Sequence, residues 1–262
     1  MTASKTGLSE AMREDWDGRA RKDPFYYVAT WRKDWTVESF LASGEEEYQK
    51  LVQPVLDELQ FTPGHASMLE VGCGAGRMTA SFASRFATVY ALDISQEMLH
   101  VAKQNLERFP NIHWVLNDGT DLSAIPSNSV QFVFSYFVLQ HLPTEDLALA
   151  YIREMLRVLK GGGIFLFQFN DGSKVSTMNW KGTLASGVVD GLWALHLQRL
   201  SQATARLLGF DPAMIGKNWR GAPLEATKVV GTVRTAGGAS LQVTGKHTPM
   251  AWCRGRKSDR AA

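Results

Sequence analysis

The sequence predicts an α/β fold on a doubly wound, mostly parallel sheet, and three observations carry that expectation. Between residues 66 and 170, short apolar runs rich in β-branched and aromatic residues alternate with longer amphipathic stretches, as in repeated strand–helix units. Those stretches are long enough to be crossovers, which parallel strands require. A turn carrying Gly72, Gly74 and Gly76 joins the first strand to the first helix of the series.

Each element follows from its local pattern. Ser67–Val71 reads as the first strand, Arg77–Phe86 as the helix after the glycine turn, and Thr88–Leu92 as the second strand. Ser95 is placed to cap the next helix, whose Met98, Ala102, Leu106 and Phe109 form one apolar stripe before Pro110-Asn111 ends it. Ile112–Leu116 is a third strand, and Val130–Tyr136 a fourth, near-continuously apolar as a strand covered on both faces must be. Thr144, with Glu145 and Asp146 behind it, starts a helix that places acids at the positive end of its dipole. That helix is expected to stop at Lys160-Gly161-Gly162-Gly163, where a glycine takes the left-handed cap, before a fifth strand at Ile164–Phe169. Ala239–Gly245 and Pro249–Arg254 suit an antiparallel hairpin at the sheet edge.

The flanks break this rhythm. Residues 1–42 hold Trp16, Phe25, Tyr26, Tyr27, Trp31, Trp35 and Phe40 without steady periodicity. Ser43-Gly44-Glu45-Glu46 has capping-box spacing and predicts a helix through Leu59, kinked or divided by Pro54. A second irregular region, residues 171–222, contains an amphipathic helix near Leu192–Leu208. The expected organisation is an N-terminal lid or helical segment over residues 1–60 and one domain over 61–262, with an acceptor-binding insertion at about 171–235.

Composition bounds the function. In 262 residues, 45% are hydrophobic and 21% charged, as in folded globular chains rather than disordered or fibrous ones. A net charge of +2 gives no general electrostatic grip on nucleic acid or anionic membrane, and the basic C-terminal stretch at Arg254, Arg256, Lys257 and Arg260 reads as a solvated tail. Cys73 and Cys253 show neither disulfide-framework nor metal-ligand spacing, so no metal is expected and a reducing compartment fits. With no signal-like apolar segment at the N-terminus and no run of about 18 apolar residues, a cytoplasmic protein is expected.

The informative stretch is Leu69-Glu70-Val71-Gly72-Cys73-Gly74-Ala75-Gly76-Arg77. In a doubly wound sheet such a turn lies at the carboxyl ends of the strands, where ligands bind. Asp93 follows the second strand 21 residues after Gly72, near the spacing of about 20 at which a carboxylate meets ribose hydroxyls. The ligand expected is therefore a nucleoside. A dinucleotide fits less well, because its fingerprint asks for glycine or alanine where Arg77 stands.

These residues resemble the first motif of the class I S-adenosylmethionine-dependent methyltransferases. Ala91-Leu92-Asp93-Ile94-Ser95 with Met98 resembles that family's ribose-binding acid and following helix start, and Asn117-Asp118-Gly119 its adenine loop. Phe134–Leu142 resembles the fourth-strand motif, and Arg157–Gly163 the turn before the fifth strand. Together the matches cover residues 66–170, and the terminal hairpin fits the family's sixth and seventh strands.

The resemblance implies a seven-stranded Rossmann-like methyltransferase fold, S-adenosyl-L-methionine as cofactor and methyl transfer to a small molecule by in-line displacement. It implies that Gly72, Gly74 and Gly76 let the methionine half lie against backbone, that Glu70 orients its ammonium group, and that the Ser135 carbonyl faces that group. It implies that Asp93 accepts from both ribose hydroxyls, Asp118 from the adenine amino group beside Gly119, and that Ile94 and Met98 pack on the purine. Arg77 reads as a first-turn surface residue, with a place near the cofactor carboxylate as the alternative. Tyr26 and Tyr27 read as packing residues or as part of a lid.

Displacement from a sulfonium depends largely on positioning, so a base is optional. His141, at the carboxyl edge after the fourth strand, is the first candidate base and His196 the second, against a purely local hydrogen-bonding role. The aromatic N-terminal region suggests a partly apolar or aromatic acceptor. Two rivals stay open, a nicotinamide-dependent oxidoreductase and a non-catalytic nucleoside-binding protein. The acceptor atom and oligomeric state are likewise open.

Overall fold

Strict alternation along the strands decides which side chains reach which face of the sheet. In a computed structural model, which describes residues 5–172, 200, 204, 207 and 222–259, the strands are β1 (Ser67–Val71), β2 (Thr88–Asp93), β3 (Ile112–Leu116), β4 (Val130–Ser135), β5 (Leu159–Phe169), β6 (Gly238–Thr244) and β7 (Ala251–Lys257). Their order is β3-β2-β1-β4-β5-β7-β6, parallel from β3 to β5, with β7 antiparallel to β5 and to β6. The predicted α/β sheet with its C-terminal hairpin is therefore present. Strand order reverses between β1 and β4, which makes their carboxyl ends the switch point where such sheets bind ligands.

Leu69, Val133, Phe165 and Phe167 pack on one face against Ile152 and Met155 of α7 (Glu145–Val158) and Val229 and Val233 of α8 (Ala226–Thr235). Met68, Phe132, Phe134, Ile164 and Leu166 face the other way. There they meet Leu56 of α4 (Gln53–Glu58), Phe82 of α5 (Thr79–Ala83) and Leu99 of α6 (Gln96–Asn105). Ser95 caps α6 by accepting from Met98 N–H at 3.0 Å, and Thr144 caps α7 by accepting from Leu147 N–H at 3.2 Å, both as the sequence indicated.

Residues 1–42, which show no steady period but lie in the segment expected to be a lid or helical, contain α1 (Lys5–Lys22) and α2 (Pro24–Val28). Tertiary bonds hold α1 in place: Asp17 Oδ1 accepts from the Ser95 hydroxyl at 2.6 Å and from Glu97 N–H at 3.2 Å. Three local expectations are corrected. First, the capping box that operates is Thr36 with Ser39, so α3 (Val37–Glu47) begins ahead of Ser43, whose hydroxyl donates to Phe40 O at 2.7 Å inside the helix. Pro54 does divide this helix: the chain widens into a π-turn at Tyr48–Val52 before α4, relieving the clash of a proline ring with the preceding turn.

The helix after the glycine turn is shorter than expected, because residues 74–78 form turns before α5 starts. Finally, α7 runs into β5 without a glycine cap. Val130 pairs with Leu159 and Phe132 with Ile164, so residues 160–163 bulge opposite Gln131, with Gly162 at φ +71°. Among the described residues no helix is long and apolar enough to cross a membrane. The predicted helix near Leu192–Leu208 and His196 lie outside the described residues, apart from Leu200, Thr204 and Leu207.

Candidate active site

At the switch point the glycine turn is hooked onto β2: Gly72 and Cys73 N–H groups both donate to Leu92 O, at 2.7 and 3.0 Å. Gly72 lies at φ +76°, and a Cβ there would stand 2.1 Å from Val138 Cγ2. Asp93 fastens the turn from the other side. Its Oδ2 accepts from Gly74 N–H at 2.8 Å and its Oδ1 from Ser95 N–H at 2.9 Å. Burial pushes the Asp93 carboxyl above its ordinary range, and these backbone donors pull the other way.

Glu70, on β1, is buried and accepts from the Thr79 hydroxyl at 2.6 Å. Desolvation pushes its carboxyl up to about 8, opposed by the Thr79 hydrogen bond and the Arg77 charge. Arg77 donates to Glu47 Oε2 at 2.8 Å, and its guanidinium carbon lies 5.2 Å from the Trp31 ring centre and 6.0 Å from that of Tyr136. Its side chain is only 4% exposed, which overturns the surface reading. The cause is α3: Gly44 lies against the Arg77 backbone, where a Cβ would stand 1.9 Å from Arg77 O.

A cavity of about 280 Å³ opens over these groups. Glu70, Gly72, Gly74, Asp93, Ile94 and Met98 line it, together with His141. Part of its wall comes from the N-terminal segment through Met12, Trp16, Tyr27, Val28 and Trp31. Tyr26 stands behind Tyr27, ring edge to face at 5.2 Å. His141 is buried, meets the Trp16 ring edge at 5.5 Å, and its Nε2 lies 3.2 Å from Gln140 Nε2.

Other predicted positions fall outside the lining. Asp118 is exposed, its Oδ1 accepting from Thr120 N–H and hydroxyl at 2.8 Å each, so the carboxylate closes its own turn. The cavity residue there is Asn117, whose Oδ1 accepts from Gly119 N–H at 2.5 Å and from Tyr151 Oη at 3.5 Å. Gly119 is buried under Met12 and Ile94 at φ +83°. Gly76 faces α6, where a Cβ would meet Leu106 Cδ1 at 2.9 Å, and so serves helix packing. Ser135 pairs within the sheet and its hydroxyl donates to Val71 O at 3.2 Å. Sequence reasoning missed Met12, Asn117 and Tyr151; Asn117 stood in the quoted motif, but the other two carry no local signal. Among the described residues no cluster of His, Cys, Asp and Glu could hold a metal ion.

A family model described as a methyltransferase domain matches residues 69–167, from β1 to β5. Residues 69–167 are thus similar to a methyltransferase domain. Over 147 residues the chain is 29% identical to a demethylmenaquinone methyltransferase of Tropheryma whipplei, covering 56% of this chain and 54% of that one. Over 134 residues it is 31% identical to a ubiquinone biosynthesis O-methyltransferase of Xanthomonas axonopodis pv. citri, covering 49% and 55%. The chain spans from a fifth to about half of the length of curated relatives it matches. The solved magnesium protoporphyrin IX methyltransferase of Synechocystis PCC 6803, with bound S-adenosylhomocysteine, is 18% identical and shares the fold with a TM-score of 0.59 over 96% of this chain and 100% of that one. The matched residues contain the glycine turn, Asp93, Asn117 and His141, whereas α1–α4 and the terminal hairpin lie outside them.

Proposed function

We propose that the protein is an S-adenosylmethionine-dependent methyltransferase acting on a small molecule. The observation that carries this reading is the buried Asp93 carboxylate at the switch point, tied to Gly74 and Ser95 and lining the cavity. Each of its oxygens has a further lone pair beyond the backbone bond, the pair of acceptors that a vicinal diol needs.

The other residues suit the rest of such a cofactor. Glu70 holds its proton up to about pH 8 even with the Arg77 charge acting on it, and an ammonium group beside it would restore the carboxylate. Gly72 and Gly74 leave backbone open to the methionine half, and Ile94, Met98 and Met12 supply apolar surface for the purine. Asn117 takes the polar place at the adenine end that the sequence assigned to Asp118. When bound, the cofactor supplies a methyl group on a sulfonium. The chain's part is to orient the acceptor in line and exclude water.

Residues 1–60 act as a lid over the cofactor, residues 171–235 help to hold the acceptor, and the protein works in the cytoplasm. Relatives named for quinone biosynthesis and the aromatic residues Trp16, Trp31 and Tyr136 support a partly apolar or aromatic acceptor. The test is calorimetric titration with S-adenosylhomocysteine and NAD in parallel, followed by labelled-methyl transfer to phenolic and carboxylic acceptors. Micromolar binding of the homocysteine nucleoside alone is expected. NAD binding alone would turn the reading to an oxidoreductase, and nucleoside binding with no transfer to any acceptor would turn it to a non-catalytic binding protein.

A further inference from the structure

We infer that Gln168 is a positioning residue which, through Gln140, holds His141 as the tautomer protonated on Nδ1, with Nε2 committed as a hydrogen-bond acceptor. The catalytic consequence rests on the methyltransferase reading; the hydrogen-bond logic does not. Gln168 is fully buried on β5. Its Oε1 accepts from Phe137 N–H at 3.2 Å, and its Nε2 donates to Pro249 O at 2.6 Å and to Gln140 Oε1 at 3.1 Å.

A backbone N–H only donates and a backbone carbonyl only accepts, so these two main-chain partners leave the Gln168 amide one orientation. The reversed amide would oppose donor to donor at Phe137 and acceptor to acceptor at Pro249. The orientation is then passed on. Gln140 must turn its oxygen to Gln168, which leaves its Nε2 as the atom 3.2 Å from His141 Nε2. Two nitrogens at that distance bond only if one brings a lone pair, and the amide nitrogen has none to give. His141 Nε2 is therefore the acceptor.

The same relay holds the backbone. Phe137 sits at φ +57°, a left-handed conformation that bulky side chains rarely adopt and that persists only where its surroundings fix it. Gln168 fixes it through the Phe137 N–H. Phe137, Gln140 and His141 all line the cavity, so one buried amide sets three of its walls. Removing an acceptor proton at Nε2 would first require breaking the Gln140 bond. His141 thus shapes the site, and the acceptors it suits arrive already nucleophilic, as a carboxylate or an ionised phenol does.

The experiment is long-range proton–nitrogen correlation spectroscopy of the full chain labelled with ¹⁵N-histidine at mildly alkaline pH, with His141 assigned by its loss in His141→Asn. Wild-type His141 is expected to show a protonated Nδ1 and an unprotonated Nε2. In Gln140→Glu one carboxylate oxygen still accepts from Gln168 and the other faces Nε2, so the proton is expected to move to Nε2. A wild-type proton on Nε2, or a pattern unchanged in Gln140→Glu, would overturn the inference. Gln168→Met is expected to give a mixture of tautomers; should it not fold, the half-buried Gln140→Glu decides alone. Failure of the same wild-type sample to bind S-adenosylhomocysteine would count against the methyltransferase reading while the tautomer result stood.

Discussion

Replacing Asp93 by Asn tests the cofactor site with little change of shape. In the wild type both carboxylate oxygens accept backbone N–H groups, from Gly74 at 2.8 Å and Ser95 at 2.9 Å. An amide offers one oxygen, so its nitrogen must face either Gly74 N–H or Ser95 N–H, donor against donor. That leaves one buried N–H unmet, at about 1–3 kcal/mol, partly offset because a desolvated charge is no longer buried. For the ligand, a charge-assisted bond to a ribose hydroxyl is lost, worth about 1.5–3 kcal/mol. Affinity for S-adenosylhomocysteine is therefore expected to fall roughly 10- to 150-fold. Calorimetric titration measures it, with a thermal melt on the same sample to confirm folding. A folded Asp93→Asn protein binding within about threefold of wild type would refute the assignment of Asp93 to the ribose.

Glu70 makes stability depend on pH. Between its ordinary 4.5 and about 8 the folded protein keeps a proton that the unfolded chain has lost, so stability declines as pH rises through that window. Glu70→Gln is expected to flatten the decline, and superimposable melting temperature–pH curves for the two proteins would contradict this. At pH near 7, binding of S-adenosylhomocysteine is expected to release a proton in wild type and none in Glu70→Gln, read from calorimetry in buffers of different ionisation enthalpy. Gly76→Ala places a Cβ 2.9 Å from Leu106 Cδ1 at φ +88°, which is expected to cost about 1–3 kcal/mol in a denaturant melt while the folded protein binds nucleoside normally. Arg77→Met leaves Glu47 without its 2.8 Å partner and is expected to cost about 3 kcal/mol, part of which returns in Arg77→Met/Glu47→Gln. Equal melts for the single and double variants would contradict that pairing.

What the sequence determined by itself was local in origin. Short apolar runs such as Met68–Val71 and Val130–Phe134 placed strands, Ser95 and Thr144 placed helix starts, and glycines at 72 and 74 with Asp93 at a fixed spacing marked the ligand edge. These signals lie within a few residues, or within one strand–helix–strand unit, and short-range sterics and hydrogen bonding enforce them. Tertiary structure alone decided the rest. Arg77 is buried because Gly44 of α3 lets that helix settle on its backbone, and α1 is held at the site because Asp17 reaches Ser95 and Glu97. Asp118 turns outward because Thr120 offers it two donors, which leaves Asn117 to face the cavity. Gln168, with no motif around it, became a determinant of the site because the sheet brings β5 beside the turn after β4 and the hairpin beside both. Apart from the local Asp118 turn, these contacts pair residues about 30 to 80 positions apart, and no periodicity along the chain encodes which distant donor will meet which acceptor.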